Sequence, residues 1–431
     1  MRSLLVFCLC LYGVWAKHEV YDGSAVYEVS VNDVNEIKFI NQLENELFVD
    51  VWSHAMPGRP GQVLVPKDKR DQFESALKDF GLTYKVVQED VRKQLELEDR
   101  LLAAAAARSS KNSSRLSFDT IHTYDEVDAY LEELGKTYPD VVTVVVAGNS
   151  IEGRPIKYLR ISTTDFQDTS KPIVMMQSLL HAREWITLPA TLYAIQKLVI
   201  DVTESDLLQE IDWIILPVAN PDGYSWTHTN SRFWRKNRAT GFMVGDFCAG
   251  VDLNRNFDIH WSTASSGSVC SDTFHGRGPF SEPETKAIHD VLAIYGSRVA
   301  LYLDIHSFGS MILFGYGNGV LPSNALTINL VGVNMAQAID RVKWPQNRNY
   351  IVGNIAHVLY DASGGASDYA MVAGAPLSYT FELPAFNNNH NTLNGFLVDP
   401  AFIEQAGFET WEGIKVGARA AASYFRNRNY V

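Results

Sequence analysis

From residue 116 onward the chain alternates apolar, strand-like runs with stretches of helical spacing, and this limits the possible folds more than any other feature. The strand-like runs are 141–148, 156–162, 173–180, 213–218, 300–306 and 377–381. Helical spacing occupies 125–138, 188–199, 283–295, 326–342 and 407–426. Runs that are apolar on successive residues, not only on alternate ones, must be buried on both faces. The reading is an α/β fold with a mixed, mostly parallel sheet and helices on both faces. Ligands of such sheets sit beyond the carboxyl ends of the strands. Polar residues that close an apolar run are therefore the first candidates for a site.

Residues 17–100 read as a smaller unit. Residues 26–31 alternate like a strand, 32–46 are helical, 47–51 and 61–65 are strand-like around Pro57-Gly58-Arg59-Pro60-Gly61, 68–80 are helical and 82–87 strand-like. The order β-α-β-β-α-β fits a ferredoxin-like α+β domain. A helix over 88–107 then runs into a basic, Ser-rich stretch, so 101–115 reads as a helix end and an exposed linker. Arg108, Lys111 and Arg115 are the positions a trypsin-like protease would cut, although an ordinary interdomain linker has the same composition.

Residues 1–16, MRSLLVFCLCLYGVWA, have a basic start, an apolar middle and compact Val14 and Ala16 at the end. This reads as a secretory signal peptide cleaved after Ala16. As a membrane anchor it is short of the ~20 residues a spanning helix needs. Its removal leaves Cys248 and Cys270, and two cysteines in a secreted, extracellular chain are expected to pair. Asn112-Ser113-Ser114 is a glycosylation sequon. With 37 Lys plus Arg against 50 Asp plus Glu, the formal charge of −13 argues against nucleic acid or an anionic membrane as partner.

The run 173–180 delivers His181-Ala182-Arg183-Glu184, and the run 300–305 delivers His306. Catalytic zinc sites use three protein ligands and keep a fourth position open. A His-x-x-Glu pair alone is most often a solvated surface feature; a second apolar strand ending in a histidine brings one shared cation level with that reading. Ligand histidines need their other ring nitrogen fixed, and Asp252, flanked by apolar residues, is the candidate for that task.

The surrounding motifs are specific. His181-Ala182-Arg183-Glu184-Trp185, Asn220-Pro221-Asp222-Gly223-Tyr224, Arg232-Phe233-Trp234-Arg235-Lys236, Gly250-Val251-Asp252-Leu253-Asn254-Arg255-Asn256, Asp304-Ile305-His306-Ser307, Tyr360-Asp361-Ala362-Ser363-Gly364-Gly365 and Thr380-Phe381-Glu382-Leu383 occur in that order. Together they resemble the secreted zinc metallocarboxypeptidases of the pancreatic A/B type, in zymogen form. The resemblance spans nearly the whole chain after the leader. It implies 17–100 as activation domain, 116–431 as catalytic domain, one Zn2+ per chain on His181, Glu184 and His306, and a Cys248–Cys270 disulfide. It implies hydrolysis of the C-terminal peptide bond of peptides and proteins, in a monomer activated by a trypsin-like protease. A digestive role and a regulatory one share these motifs; digestion is the main reading.

The roles implied are Glu382 as general base and Arg235 as the cation that stabilises the oxyanion. Arg255 grips the substrate carboxylate with Asn254 beside it. Tyr360 closes over the bound residue, and Arg183 contacts the substrate further from the cut. Ser367 falls at the base of the side-chain pocket, where enzymes that prefer Lys or Arg carry Asp and those that prefer apolar residues carry an apolar side chain. Ser367 offers no charge to a buried cation. With Ile355, Leu359, Ala362 and Thr380 it gives a neutral pocket, suited to aliphatic, aromatic or small residues, unless Asp361 or Asp368 points inward. Phe308 stands where tyrosine is usual.

Overall fold

The computed structural model describes residues 18–108, 116–242, 248–385 and 393–428. The leader 1–16 and, in the linker, Lys111, Asn112 and Arg115 lie outside the described residues. Arg108 is the exposed last residue of the helix Val91–Arg108.

The N-terminal sheet comprises β1 (Ala25–Ser30), β2 (Asp50–Ser53), β3 (Gly61–Val65) and β4 (Thr83–Gln88). Its order is β2-β3-β1-β4 and every pairing is antiparallel. The period-2 alternation gives the sheet two buried faces. Ala25, Tyr27, Val29, Val63 and Val65 pack with Ile40, Leu43, Phe73 and Leu77 of its own two helices, Val34–Leu47 and Arg70–Phe80. Val26, Trp52 and Leu64 point the other way and join the core of the larger unit.

The larger sheet comprises β5 (Val142–Asn149), β6 (Pro155–Ile161), β7 (Ile173–Ser178), β8 (Asp212–Leu216), β9 (Val299–Ser307), β10 (Met311–Phe314), β11 (Ile351–Asn354) and β12 (Leu377–Leu383), in the order β11-β10-β12-β9-β7-β8-β6-β5. The centre is parallel, β12 to β9 to β7 to β8. The β8-β6-β5 edge is antiparallel, as is β10 on β12. This is the mixed sheet the apolar runs require. Strands β10 and β11 extend it beyond the sequence reading, and the last helix, Pro400–Arg428, starts earlier than 407.

Helices cover both faces. Thr187–Val199, Ala325–Val342 and Pro400–Arg428 bury Leu188, Ile328 and Ile403 on one face, while Pro283–Tyr295 and Ala366–Val372 bury Ile288 and Ala370 on the other. In β9, Leu301, Leu303 and Ile305 face the first layer and Tyr302 the second. By the same alternation Asp304 and His306 lie on the Tyr302 face. In β12, Leu377, Tyr379, Phe381 and Leu383 take the first face, leaving Thr380 and Glu382 beside Asp304 and His306, their register partners.

Candidate metal and peptide site

His181 and Glu184 lie in the turn between β7 and the helix Thr187–Val199. This turn is held from the side by Asn220, whose Nδ2 donates to Leu180 O at 3.2 Å and Lys236 O at 3.1 Å. The Asn220 Oδ1 also accepts from Gly223 N at 2.9 Å, capping the helix Pro221–Thr229. One side chain thus fixes both the ligand turn and the segment that carries Arg235.

Three buried donors converge. His181 Nδ1 is 2.8 Å from Glu184 Oε1 and 3.0 Å from His306 Nδ1, and His306 Nδ1 is 2.9 Å from Glu184 Oε2. Zinc–donor bonds of about 2.0–2.1 Å in a tetrahedral arrangement place neighbouring donors a little over 3 Å apart. The set therefore fits zinc, in spacing and in its nitrogen–oxygen chemistry. Each outer imidazole nitrogen has its own carboxylate. His181 Nε2 is 3.0 Å from Asp252 Oδ1, and His306 Nε2 is 2.8 Å from Asp304 Oδ2.

The other residues singled out in the sequence lie around this centre. Arg235 donates from Nε and Nη2 to Asp252 Oδ2, at 3.1 and 2.8 Å. Burial opposes the Asp252 carboxylate, yet Arg235 and His181 outweigh it and hold its pKa well below the usual range. Glu382 is half-buried beside Glu184, and desolvation with that like charge pushes its pKa up to about 8. Arg255 donates from Nη2 to the Tyr360 hydroxyl at 3.3 Å, and Asn254 Oδ1 accepts from Ala366 N at 2.8 Å. Gly364, at φ 66°, makes this approach possible, because a Cβ there would lie 2.3 Å from Arg255 O. Cys248 and Cys270 are disulfide-bonded across the loop that carries Asp252, Asn254 and Arg255.

Ser367 is buried, and its hydroxyl lies 2.8 Å from that of Thr380. Asp361 is exposed, and Asp368 accepts the Gly317 N–H at 2.7 Å.

The N-terminal unit closes the cleft. Asp50 takes both its oxygens to Arg183 Nη1 at 2.8 Å, and the His54 ring sits 4.1 Å from that of Tyr360. Trp52 packs on Phe233 and Phe396, with centroids at 4.6 and 5.5 Å. A cavity of about 370 Å³ remains between the units, reached by Arg59 from one side and by Glu184, Arg235, Phe308, Tyr360 and Glu382 from the other.

The matching families agree with this geometry. The carboxypeptidase activation peptide matches residues 27–98 and zinc carboxypeptidase matches 127–413. The chain belongs to the zinc carboxypeptidase family. It is 45% identical to carboxypeptidase B of Helicoverpa zea, over 99% of this chain and 100% of that one. To carboxypeptidase A2 of Mus musculus it is 33% identical, over 94% and 96%. The solved carboxypeptidase A from Helicoverpa armigera shares its fold with a TM-score of 0.92 and 70% identity, covering 94% of this chain and 99% of that one. The protein is a metallocarboxypeptidase zymogen, and His181, Glu184 and His306 form its metal-binding group.

Sequence reasoning gives Asp304 no role. The signal was the i, i+2 spacing to His306 in a strand: two residues apart on a strand is the same face.

Proposed function

We propose that the cut enzyme removes single neutral residues, whether aliphatic, aromatic or small, from the C-termini of peptides and proteins. The observation that carries the preference is the pocket floor. Ser367 is bonded to Thr380, and the neighbouring Asp368 spends one carboxylate oxygen on the Gly317 N–H. The Ser367 and Thr380 hydroxyls themselves offer a Lys or Arg side chain no opposite charge, and burying an unpaired cation is costly. Relatives carry names of both the A and B types; the neutral floor supports the A-like reading. A pocket that selects by size more than by charge suits a digestive enzyme.

The chain's own residues supply the steps. Arg255 and Asn254 bind the terminal carboxylate, and Tyr360 folds over the bound residue. One zinc per chain, held by His181, Glu184 and His306, supplies Lewis acidity to the scissile carbonyl and the attacking water. Glu382 takes the water's proton and hands it to the leaving amine. Arg235, kept in place by Asp252, lies where negative charge develops on the carbonyl oxygen, a contribution typically of several kcal/mol.

Residues 17–100 act as the activation domain. Asp50 on Arg183 and His54 on Tyr360 occupy groups that a peptide would use. A trypsin-like protease cuts within 101–115, and the exposed position of Arg108 supports that access. The leader 1–16 directs secretion, and among the described residues no helix is long and apolar enough to cross a membrane. The active species is a monomer. The test treats the chain with trypsin, then measures release of C-terminal Phe, Leu and Lys from matched peptides with and without chelator. Chelator-sensitive release of Phe and Leu ahead of Lys is expected; faster release of Lys overturns the preference.

A further inference from the structure

The two ligand histidines are supported unequally. Asp252 divides its charge between His181 and the Arg235 guanidinium. Among the described residues Asp304 meets only amides apart from His306: its Oδ1 accepts from Gln177 Nε2 at 2.9 Å, and Asn254 Nδ2 approaches its Oδ2 at 3.4 Å. Gln177 is the register partner of Asp304 on β7, so the contact is built into the sheet. Asp304, Gln177 and His306 are all buried.

A buried carboxylate with no cation bonded to it is expensive. Among its hydrogen-bond partners, the group that can offset its charge is the His306 imidazole. With Nδ1 turned to the metal site, His306 must keep its proton on Nε2, where Asp304 Oδ2 accepts it at 2.8 Å. That bond fixes tautomer and ring angle, and it raises the electron density at Nδ1.

We propose that Asp304 is a positioning residue for His306, forming a second carboxylate–histidine pair that sets how tightly the chain holds zinc. The proposal rests on His181, Glu184 and His306 being the ligands. Loss of such a partner typically weakens metal binding 10–100-fold. Asn254 also lies 3.1 Å from His306 Nε2. Since that nitrogen already carries the proton, the Asn254 amide turns to Asp304 instead, which ties the carboxylate-binding side chain to the same anchor.

The test uses the full chain and Zn2+ alone, in competition with a chromophoric chelator. Asp304→Asn keeps shape and an acceptor but loses the charge, and should weaken zinc about tenfold; Asp304→Ala should approach a hundredfold. The metal-free melting temperature of Asp304→Asn should move little, since shape and an acceptor are kept, whereas Asp304→Ala leaves the Gln177 and His306 N–H groups unpaired and should lower it. A merely structural residue would lower that temperature and leave zinc affinity alone. Variants that bind zinc within twofold of the parent overturn the proposal. A second readout needs no variant: the zinc-loaded parent should show two low-field imidazole N–H resonances, one from each ligand histidine, and a single one overturns the pairing. A parent chain that binds no zinc overturns the ligand set itself, a failure distinct from unchanged affinity in the variants.

Discussion

Removing the Glu98 carboxylate should release the N-terminal unit from the cut enzyme. Glu98 lies on the helix Val91–Arg108, and its oxygens accept from Arg232 Nε at 2.8 Å and Nη2 at 3.0 Å. Its Oε1 also accepts from Val398 N at 2.7 Å. The two side chains are 1% and 0% exposed, and Arg232 stacks 3.6 Å over Trp185. Breaking a buried pair by deleting one partner costs about 3–5 kcal/mol, because the other charge stays buried. Arg232 keeps its bonds to Arg183 O and Phe396 O, which places Glu98→Ala toward the lower figure. At about 1.4 kcal/mol per decade, the hold on the N-terminal unit weakens by roughly a hundredfold or more. Glu98→Gln retains acceptors and should fall between the two. The assay nicks the linker of each variant, dilutes the nicked complex and follows the rise of carboxypeptidase activity as the fragment leaves. A nicked Glu98→Ala complex that opens as slowly as the parent would refute the argument, for then the pair holds nothing.

Four further outcomes follow from the site and its surroundings. Glu382→Gln should cut kcat by about 10²–10⁴ with peptide binding retained, as expected when a proton-transfer group is removed; titration of an uncleaved peptide analogue separates the two effects. Arg255→Ala should raise KM for free C-termini and shrink the difference between peptides and their C-terminal amides, by about 1.5–3 kcal/mol for a charged hydrogen bond. Ser367→Asp should shift the released residue toward Lys and Arg, read by end-group analysis; an unchanged profile would mean that position 367 does not face the side chain. Glu284 is buried, and burial lifts its carboxyl to about 7 from the ordinary 4.5. Its protonated form is favoured in the folded chain, so its contribution is intact below about pH 4.5 and is lost as pH rises through 7. Glu284→Gln should therefore flatten the fall of the melting temperature between pH 5 and 8, a difference of up to about 3 kcal/mol.

The fold was legible where strands are long and apolar on both faces, and where the small unit alternates. Strand β11, Ile351–Asn354, at the sheet edge, and β10, Met311–Phe314, beside it, are four residues each, too short for a period to register. The helix Pro221–Thr229 mixes Asp222, Gly223, Tyr224 and Trp226 without a helical apolar stripe, and its start is fixed by the Asn220 cap. The small unit's second face was hidden as well. Val26, Trp52 and Leu64 look like ordinary strand residues until the larger core is there to receive them. Asp304 was missed for a related reason. All nine residues of β9 are buried, so alternation carries no contrast, and the aspartate reads as an interruption in an apolar run. Its meaning depends on Gln177 and Asn254, which lie 127 and 50 residues away and reach it through the sheet and the disulfide-bonded loop.

The central claim is that two imidazoles and one carboxylate, delivered by separate parts of the sheet, hold a single zinc ion at the mouth of the cleft. Crystals of the protein grown with zinc, measured on either side of the zinc absorption edge, test it directly. The account predicts one anomalous peak within about 2.0–2.2 Å of His181 Nδ1, His306 Nδ1 and a Glu184 oxygen. Anomalous density elsewhere, with none between those three side chains, would contradict it.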